Sequence, residues 1–279
     1  MSDPDIYVAA RRVLLDGLAA LEPHLDALTL VGAQAIYLRV GEADVAVAPT
    51  TTDGDLVLDP AALKNSPALE RLMGEGGFER KRGTDGTPLV GLWVQKENVT
   101  REAQVSVDLL IPEEAASAAG RRAARLEGHE TGSVLKVPGL EACLVDADKM
   151  RVASLEPGDD RAFDIRVAGP AALLIAKMHK IGDRALQPDR TEDKDALDVF
   201  RLFRGTSPEE FRRRMEVLRS DVRSAACTQR GLTLLQKLFG QRDGTGVAMA
   251  IRATEGLLPP VEVSASLTAI AANAVFRVG

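Results

Sequence analysis

Three aspartates in two short apolar segments have the side chains and the spacing that metal chemistry requires. Asp53 and Asp55 stand at i and i+2 as one apolar run begins, and Asp108 interrupts another run, Val105–Ile111. Alternate side chains of a strand share a face, so three carboxylates converge if the two strands pair. Carboxylates about 4 Å apart repel by about 4 kcal/mol at an effective dielectric near 20, so the arrangement needs a cation. Hard oxygen ligands suit Mg²⁺, which also binds substrate phosphates, and the pattern predicts metal-assisted phosphoryl or nucleotidyl transfer.

These residues also have a purely structural interpretation. Asp-Gly-Asp is common in turns, and Asp108 can equally cap a strand end or pair with an arginine. Gly32, between a predicted strand at 28–31 and a predicted helix at 33–40, supports the functional interpretation. A glycine there lets the backbone approach a ligand, and the helix N-terminus offers amide groups to a phosphate.

A second charged group lies on two predicted helices further along the chain. Lys177, Lys180 and Arg184 are spaced to share one helix face. The next helix carries Asp195 and Asp198 at i and i+3. The two sets can simply form salt bridges between the helices. Alternatively, Lys177 contacts a triphosphate while Arg184 assists it or holds the two aspartates.

Composition restricts the class of protein. The 279 residues are 45% apolar and 27% charged, which is typical of a soluble globular chain, and no apolar run is long enough to cross a bilayer. The two cysteines lack metal-ligand spacing and the N-terminus lacks a basic signal region, so we expect a cytoplasmic protein without a membrane partner. A net charge of −6 argues against bulk coating of nucleic acid, although basic clusters occur at Arg121-Arg122 and Arg212–Arg214.

The order of predicted elements indicates an α+β fold. We expect a mixed β-sheet flanked by helices in residues 1–168, followed by a mainly helical domain in residues 169–279. The second domain contains Lys177 and the helix with Lys194-Asp195-x-x-Asp198. Among the local predictions are helices at 61–73 and from Pro112 to about 126, and a strand at 142–145.

The order Gly32, Asp53-Gly54-Asp55, Asp108 resembles the core of polymerase-β-type nucleotidyltransferases. The later Lys177, Arg184 and Lys194-Asp195-x-x-Asp198 resemble the AbiEii/MenT-like nucleotidyltransferase toxins in particular. The resemblance covers roughly residues 28 to 204. Two positions depart from it, because the family's loop is typically Gly-Gly-Ser or Gly-Gly-Thr and this chain has Gly32-Ala33-Gln34, without the second glycine and the hydroxyl.

The resemblance implies a role for each matching residue. Asp53, Asp55 and Asp108 would bind two Mg²⁺ ions, with Asp108 on the ion that activates the acceptor hydroxyl. Lys177 would hold the β- or γ-phosphate of the NTP. The remaining nucleotide-binding positions implied are Gly32, Thr52, Arg184, Asp195 and Asp198.

The resemblance also implies a biological role. The protein would be the toxin of a toxin–antitoxin system, controlled by a cognate antitoxin protein. It would transfer NMP from an NTP to RNA, at the 3′ end of tRNA, and release pyrophosphate. Two alternatives stay open: the acceptor can be a protein or a small molecule, or the core can be a degenerate nucleotide-binding module without activity.

Overall fold

The computed structural model describes residues 3–41, 51–96, 105–115, 122–184 and 193–276. Arg121 and part of the helix predicted from Pro112 lie outside the described residues. No helix within these ranges combines the length and the apolar character that crossing a bilayer requires.

The described residues form α-helices, a 3-10 helix and β-strands. The helices are α1 (Asp3–Ala20), α2 (Gly32–Val40), α3 (Leu69–Glu75), α4 (Glu141–Val145), α5 (Pro170–Arg184), α6 (Asp193–Gly205), α7 (Pro208–Ser220), α8 (Ala225–Phe239), α9 (Thr245–Ala253) and α10 (Pro260–Phe276). The 3-10 helix is Glu22–Ala27. The strands are β1 (Leu28–Val31), β2 (Asp53–Leu58), β3 (Phe78–Arg82), β4 (Pro88–Gln95), β5 (Ser106–Pro112), β6 (Leu135–Val137), β7 (Ala147–Ala153) and β8 (Ala162–Ala168).

The strands form one mixed sheet. Its order is β3-β4-β5-β2-β1-β8-β7, and β6 pairs with β5. β2 is antiparallel to β1 and parallel to β5, while β1 is parallel to β8. The predicted α+β class, a mixed sheet followed by a mainly helical region, is confirmed.

The chain divides into two compact units. The first comprises Met1–Ala35, Ala48–Val137 and Ala147–Ala168, and it contains the sheet. The second comprises Ile36–Val47, Pro138–Asp146 and Gly169–Gly279, each as far as it is described. Two short segments that the sequence placed in the N-terminal domain, around 36–47 and 138–146, are therefore grouped with the helical unit.

Three local predictions were wrong within the described residues. The segment predicted as a helix at 61–73 is turns and coil up to Ala68, and the helix covers only Leu69–Glu75. The predicted strand at 142–145 is the short helix α4, whose residues are mostly buried. Of the helix predicted from Pro112 to about 126, the described parts are not helical: residues 113–115 form a turn, and residues 122–126 contain an isolated bridge from Ala123 to Leu135.

Close packing of α1 on the sheet places β2 and β5. A Cβ added to Gly17 of α1 would lie 3.0 Å from Val107 Cγ2, and one added to Gly54 of β2 would lie 3.0 Å from Leu14 Cδ1. Gly54 is buried, and side chains alternate along a strand, so Asp53 and Asp55 point to the opposite face. The Asp-Gly-Asp sequence thus puts its smallest residue against α1.

Replacing Gly54 by valine tests this packing. We expect Gly54→Val to lower the free energy of unfolding by about 1–3 kcal/mol, because the added atoms overpack the contact with Leu14. Gly74→Val is the matched control, since nothing lies within 4 Å of a Cβ at Gly74. Chemical denaturation of both variants measures the difference, and equal stability of the two would contradict a close contact at Gly54.

Candidate metal centre and lysine–aspartate network

The sheet register brings the three predicted aspartates together. β2 and β5 run parallel with Asp53 opposite Ser106 and Asp55 opposite Asp108. One carboxylate oxygen of each aspartate lies within 4.8 Å of those of the other two, and all three residues are half-buried. We call Asp53, Asp55 and Asp108 the carboxylate cluster.

Hydroxyl groups two residues earlier in sequence orient two of these carboxylates. The Thr51 hydroxyl donates a hydrogen bond to Asp53 Oδ1, and Ser106 Oγ donates to Asp108 Oδ1 at 2.8 Å. Thr51 is buried, whereas Thr52 is exposed and its carbonyl accepts a hydrogen bond from the Ser106 amide at 2.9 Å. The spacing of the aspartates alone did not predict that Thr51 and Ser106 orient them, although a hydroxyl residue two positions before each of Asp53 and Asp108 was a usable signal.

Gly32 lies directly against the carboxylate cluster. Its φ is +68°, and a Cβ built on it would be 1.9 Å from Asp55 Oδ2. The left-handed backbone and the missing side chain leave the space that the Asp55 carboxylate occupies. This is a contact with a cluster residue, whereas the sequence suggested an approach to phosphate, which stays a prediction.

Gln34 is one of the two loop positions where the chain departs from the family that it resembles, and its side chain is hydrogen-bonded within the protein. It is 1% exposed, its Nε2 donates to the Asp53 carbonyl at 3.1 Å and to the Ala10 carbonyl at 3.2 Å, and its Oε1 accepts from Arg11 Nε at 2.8 Å. The side chain therefore does not stand in for a phosphate-binding hydroxyl.

The carboxylate oxygens of the cluster lie close enough together to bind a divalent cation. With metal–oxygen distances near 2.1 Å, two oxygens on one octahedral ion are separated by about 3.0 Å in cis and about 4.2 Å in trans. Oxygens within 4.8 Å of one another are thus compatible with a shared ion, or with two ions about 3.5–4 Å apart. The donor set is three carboxylates, the hard oxygen chemistry that Mg²⁺ prefers.

In the second unit, the residues of the two predicted helices form a buried ion network. Lys177 Nζ lies 2.7 Å from Asp195 Oδ1 and 2.7 Å from Asp198 Oδ2. Lys177 is 6% exposed, and Asp195 and Asp198 are 1% and 0% exposed. The salt-bridge interpretation is therefore realised between α5 and α6, and it uses two of the three N–H donors of the ammonium group.

Further cations surround the same two carboxylates. Asp195 also contacts Lys180 Nζ at 3.0 Å and Arg184 at 3.1 Å, and Asp198 contacts Arg201 at 3.3 Å. Among the described residues, this lysine–aspartate network contains four cationic side chains and two carboxylates. Lys180 and Arg184 are more accessible than Lys177, with side chains 41% and 22% exposed.

The ion pairs keep Lys177 and Asp195 in their charged forms. Burial alone would lower the pKa of Lys177, but the carboxylates of Asp198 and Asp195 outweigh it and the pKa is raised. Burial would raise the pKa of Asp195, but the charges of Lys177 and Lys180 outweigh it and the pKa is lowered below 3.8. A lowered carboxyl pKa stabilises the fold above pH 3.8, and this contribution is lost as the pH falls further.

The close approach of Gly32 to Asp55 predicts a specific loss of metal binding in Gly32→Ala. The Cβ would displace the Asp55 carboxylate, and the left-handed backbone would add about 1–2 kcal/mol of strain. Gly41→Ala is the matched control, because Gly41 has φ +57° and nothing lies within 4 Å of its added Cβ. We expect both variants to unfold at a lower temperature than wild type. Only Gly32→Ala should lose the stabilisation by Mg²⁺, which is measured by thermal unfolding with and without the ion.

The ion network predicts that Lys177→Met destabilises the protein before any substrate is added. Breaking a buried ion pair costs about 3–5 kcal/mol, and we expect the lower end because Lys180, Arg184 and Arg201 stay near the carboxylates. Lys237→Met, which removes an exposed lysine from α8, is the control. Urea denaturation measures both, and a Lys177→Met protein as stable as the control would show that the ion pairs contribute nothing to folding.

The carboxylate cluster and the lysine–aspartate network each occupy one unit of the chain. Together they contain every residue that the resemblance assigns to catalysis or to metal binding. No protein-family model, curated protein or solved structure matches the chain. We therefore infer the function from the chemistry of these two groups of side chains.

Proposed function

We propose that this protein is a Mg²⁺-dependent nucleotidyltransferase that transfers NMP from an NTP to an RNA hydroxyl and releases pyrophosphate. The observation that carries the proposal is the carboxylate cluster on paired strands, with ligand oxygens within 4.8 Å of one another. Like charges held this close need a cation, and a divalent ion held by carboxylates is the usual partner of nucleotide phosphates.

The residues of the cluster have distinct parts in this proposal. Mg²⁺ bound there would neutralise phosphate charge and favour the ionised form of the acceptor hydroxyl. Asp55 and Asp108 stand opposite each other in the register, so they are the pair positioned to share an ion. The Thr51 hydroxyl donates a hydrogen bond to one oxygen of Asp53, and the Ser106 hydroxyl donates to one oxygen of Asp108. Each hydrogen bond restricts the rotation of its carboxylate.

The lysine–aspartate network, taken by itself, contains lysine and arginine side chains of the kind that bind phosphate oxygens. Four cationic side chains contact two carboxylates, and the exposed fractions of Lys180 and Arg184 leave both reachable from solvent. In this proposal Lys180 and Arg184 contact phosphate oxygens, while Lys177 holds Asp195 and Asp198 and offers its third N–H.

The acceptor and the biological role rest on the resemblance to AbiEii/MenT-like toxins. We propose the 3′ end of tRNA as the acceptor and a cognate antitoxin as the regulator. The net charge of −6 favours a different acceptor, a protein or a small molecule, because RNA-binding proteins are usually basic. The basic residues of α7, Arg212 and Arg213, favour RNA, since both are exposed.

The position of the radioactive label in the NTP tests the reaction class. The protein is incubated with Mg²⁺, total RNA and each NTP, labelled in separate reactions at the α- or the γ-phosphate. Nucleotidyl transfer puts only the α-label into a tRNA-sized band and releases the γ-label as pyrophosphate. Transfer of the γ-label to RNA would contradict the proposal, and α-label in protein or in a small product would identify the alternative acceptors.

Substitutions in the carboxylate cluster test whether the cluster carries the activity. We expect Asp53→Ala, Asp55→Ala and Asp108→Ala each to lower the rate by about 1,000-fold, equivalent to about 4 kcal/mol of transition-state stabilisation. Asp59→Asn is the control, because Asp59 follows the same strand and its carboxylate accepts a hydrogen bond from the Ala61 amide instead. Activity that survives in all three cluster variants would assign the chemistry elsewhere.

Absence of heat on titrating Mg²⁺ and NTP into the protein would argue against any nucleotide site.

A further inference from the structure

Strand β2 extends beyond its neighbour at the end that carries the cluster. The antiparallel register of β1 and β2 runs from Leu28 opposite Leu58 to Val31 opposite Asp55, and the chain then turns into α2 at Gly32. Within the described residues, Asp53 and Gly54 therefore have no strand partner on the β1 side. On the other side β5 continues, since Asp53 stands opposite Ser106.

The peptide group of Asp53 points toward the side where β1 has ended. The Thr52 carbonyl accepts from the Ser106 amide of β5 at 2.9 Å, and successive carbonyls of a strand point to opposite sides. The Asp53 carbonyl consequently faces away from β5. Gln34 Nε2 donates to it at 3.1 Å, so a side-chain amide takes the place of the next hydrogen bond of the ladder.

Arg11 fixes the orientation of Gln34. Arg11 Nε donates to Gln34 Oε1 at 2.8 Å, which leaves the amide nitrogen to donate to the carbonyls of Asp53 and Ala10. The guanidinium is itself held by the Ala153 carbonyl at 3.0 Å and the Tyr7 hydroxyl at 2.9 Å, and Arg11 is 2% exposed. The described partners of this buried cation are neutral oxygens.

From these contacts we infer that Gln34, oriented by Arg11, is a positioning residue that holds Asp53 in place for metal binding. The inference rests on the proposed metal centre. It assigns a role to Gln34, one of the two loop positions where the chain departs from the family that it resembles. Gln34 Nε2 donates to the Asp53 carbonyl at 3.1 Å, and the Thr51 hydroxyl donates to the Asp53 carboxylate and, at 3.5 Å, to the same carbonyl. Without Gln34, the Asp53 carbonyl loses the shorter of these hydrogen bonds, so the backbone that carries the carboxylate is held less firmly on the side away from β5.

A titration with Mn²⁺ tests the inference without measuring activity. Free Mn²⁺ is quantified by electron paramagnetic resonance in wild type, Gln34→Met and Gln95→Met. Methionine keeps the volume of glutamine but makes none of the three hydrogen bonds of the Gln34 side chain. Gln95 is the matched control, because it lies in the same unit and its Nε2 donates at 2.6 Å to Asp16, a residue outside the cluster.

We expect the dissociation constant for Mn²⁺ to rise about tenfold to 100-fold in Gln34→Met, the range typical of removing a group that orients a metal ligand. Gln95→Met should keep the wild-type constant. Thermal unfolding of the metal-free proteins is measured in parallel, so that a loss of stability common to both variants is separated from the loss of metal affinity.

The outcomes distinguish the inference from the proposed function. Wild type that binds Mn²⁺ while Gln34→Met binds it equally well overturns the inference alone. Wild type that binds no Mn²⁺ overturns both. Where Gln34→Met does not fold, Gln34→Glu serves in its place, because it keeps an acceptor for Arg11 but cannot donate to Asp53. Weaker Mn²⁺ binding in that variant supports the inference, since an added negative charge by itself attracts the ion, and unchanged or tighter binding overturns it.

Discussion

Electrostatic repulsion among Asp53, Asp55 and Asp108 is the constraint on which the arrangement of the first unit depends. Three carboxylates with oxygens within 4.8 Å of one another stay together only if the backbone leaves them no other position. The parallel pairing of β2 with β5 does this, because it sets Asp55 directly opposite Asp108. A shift of that register by one residue would move one strand's aspartates to the opposite face of the sheet.

The two units handle buried charge in different ways. In the second unit, Asp195 and Asp198 are almost fully buried and are surrounded by lysine and arginine side chains of the same unit. In the first, the carboxylates are half-buried, and the hydrogen bonds described for Asp53 and Asp108 come from the neutral hydroxyls of Thr51 and Ser106. Neutral donors orient a carboxylate but do not cancel its charge.

The sequence predicted those parts of the fold and of the site that depend on local spacing. The i, i+2 spacing of Asp53 and Asp55 was sufficient to place both on one face, and the i, i+3 spacing of Asp195 and Asp198 to place both on one face of α6. The role of Gln34 was not predictable, because its partners Ala10, Arg11 and Asp53 are 19 to 24 residues away and only the fold brings them together. The helix predicted after Pro112 and the strand predicted at 142–145 failed for a related reason. Short apolar or alanine-rich segments fit either structure, and tertiary packing decides between them.

Gln34 stands where the family that this chain resembles has a loop hydroxyl, and its contacts bear on the alternative of a core without activity. A core with no cation to bind gains stability from any neutral residue that replaces one of the crowded carboxylates, because the repulsion then disappears. A buried arginine would also be unfavourable in such a core, because removing its charge from water opposes folding. This cost is visible at Arg11, where burial lowers the pKa and outweighs the opposing effect of Tyr7. This chain keeps all three carboxylates and couples the strand that carries Asp53 to Arg11 through Gln34. Holding charges this close together supports the proposal that an ion binds at this point, and in that proposal Gln34 orders the Asp53 backbone.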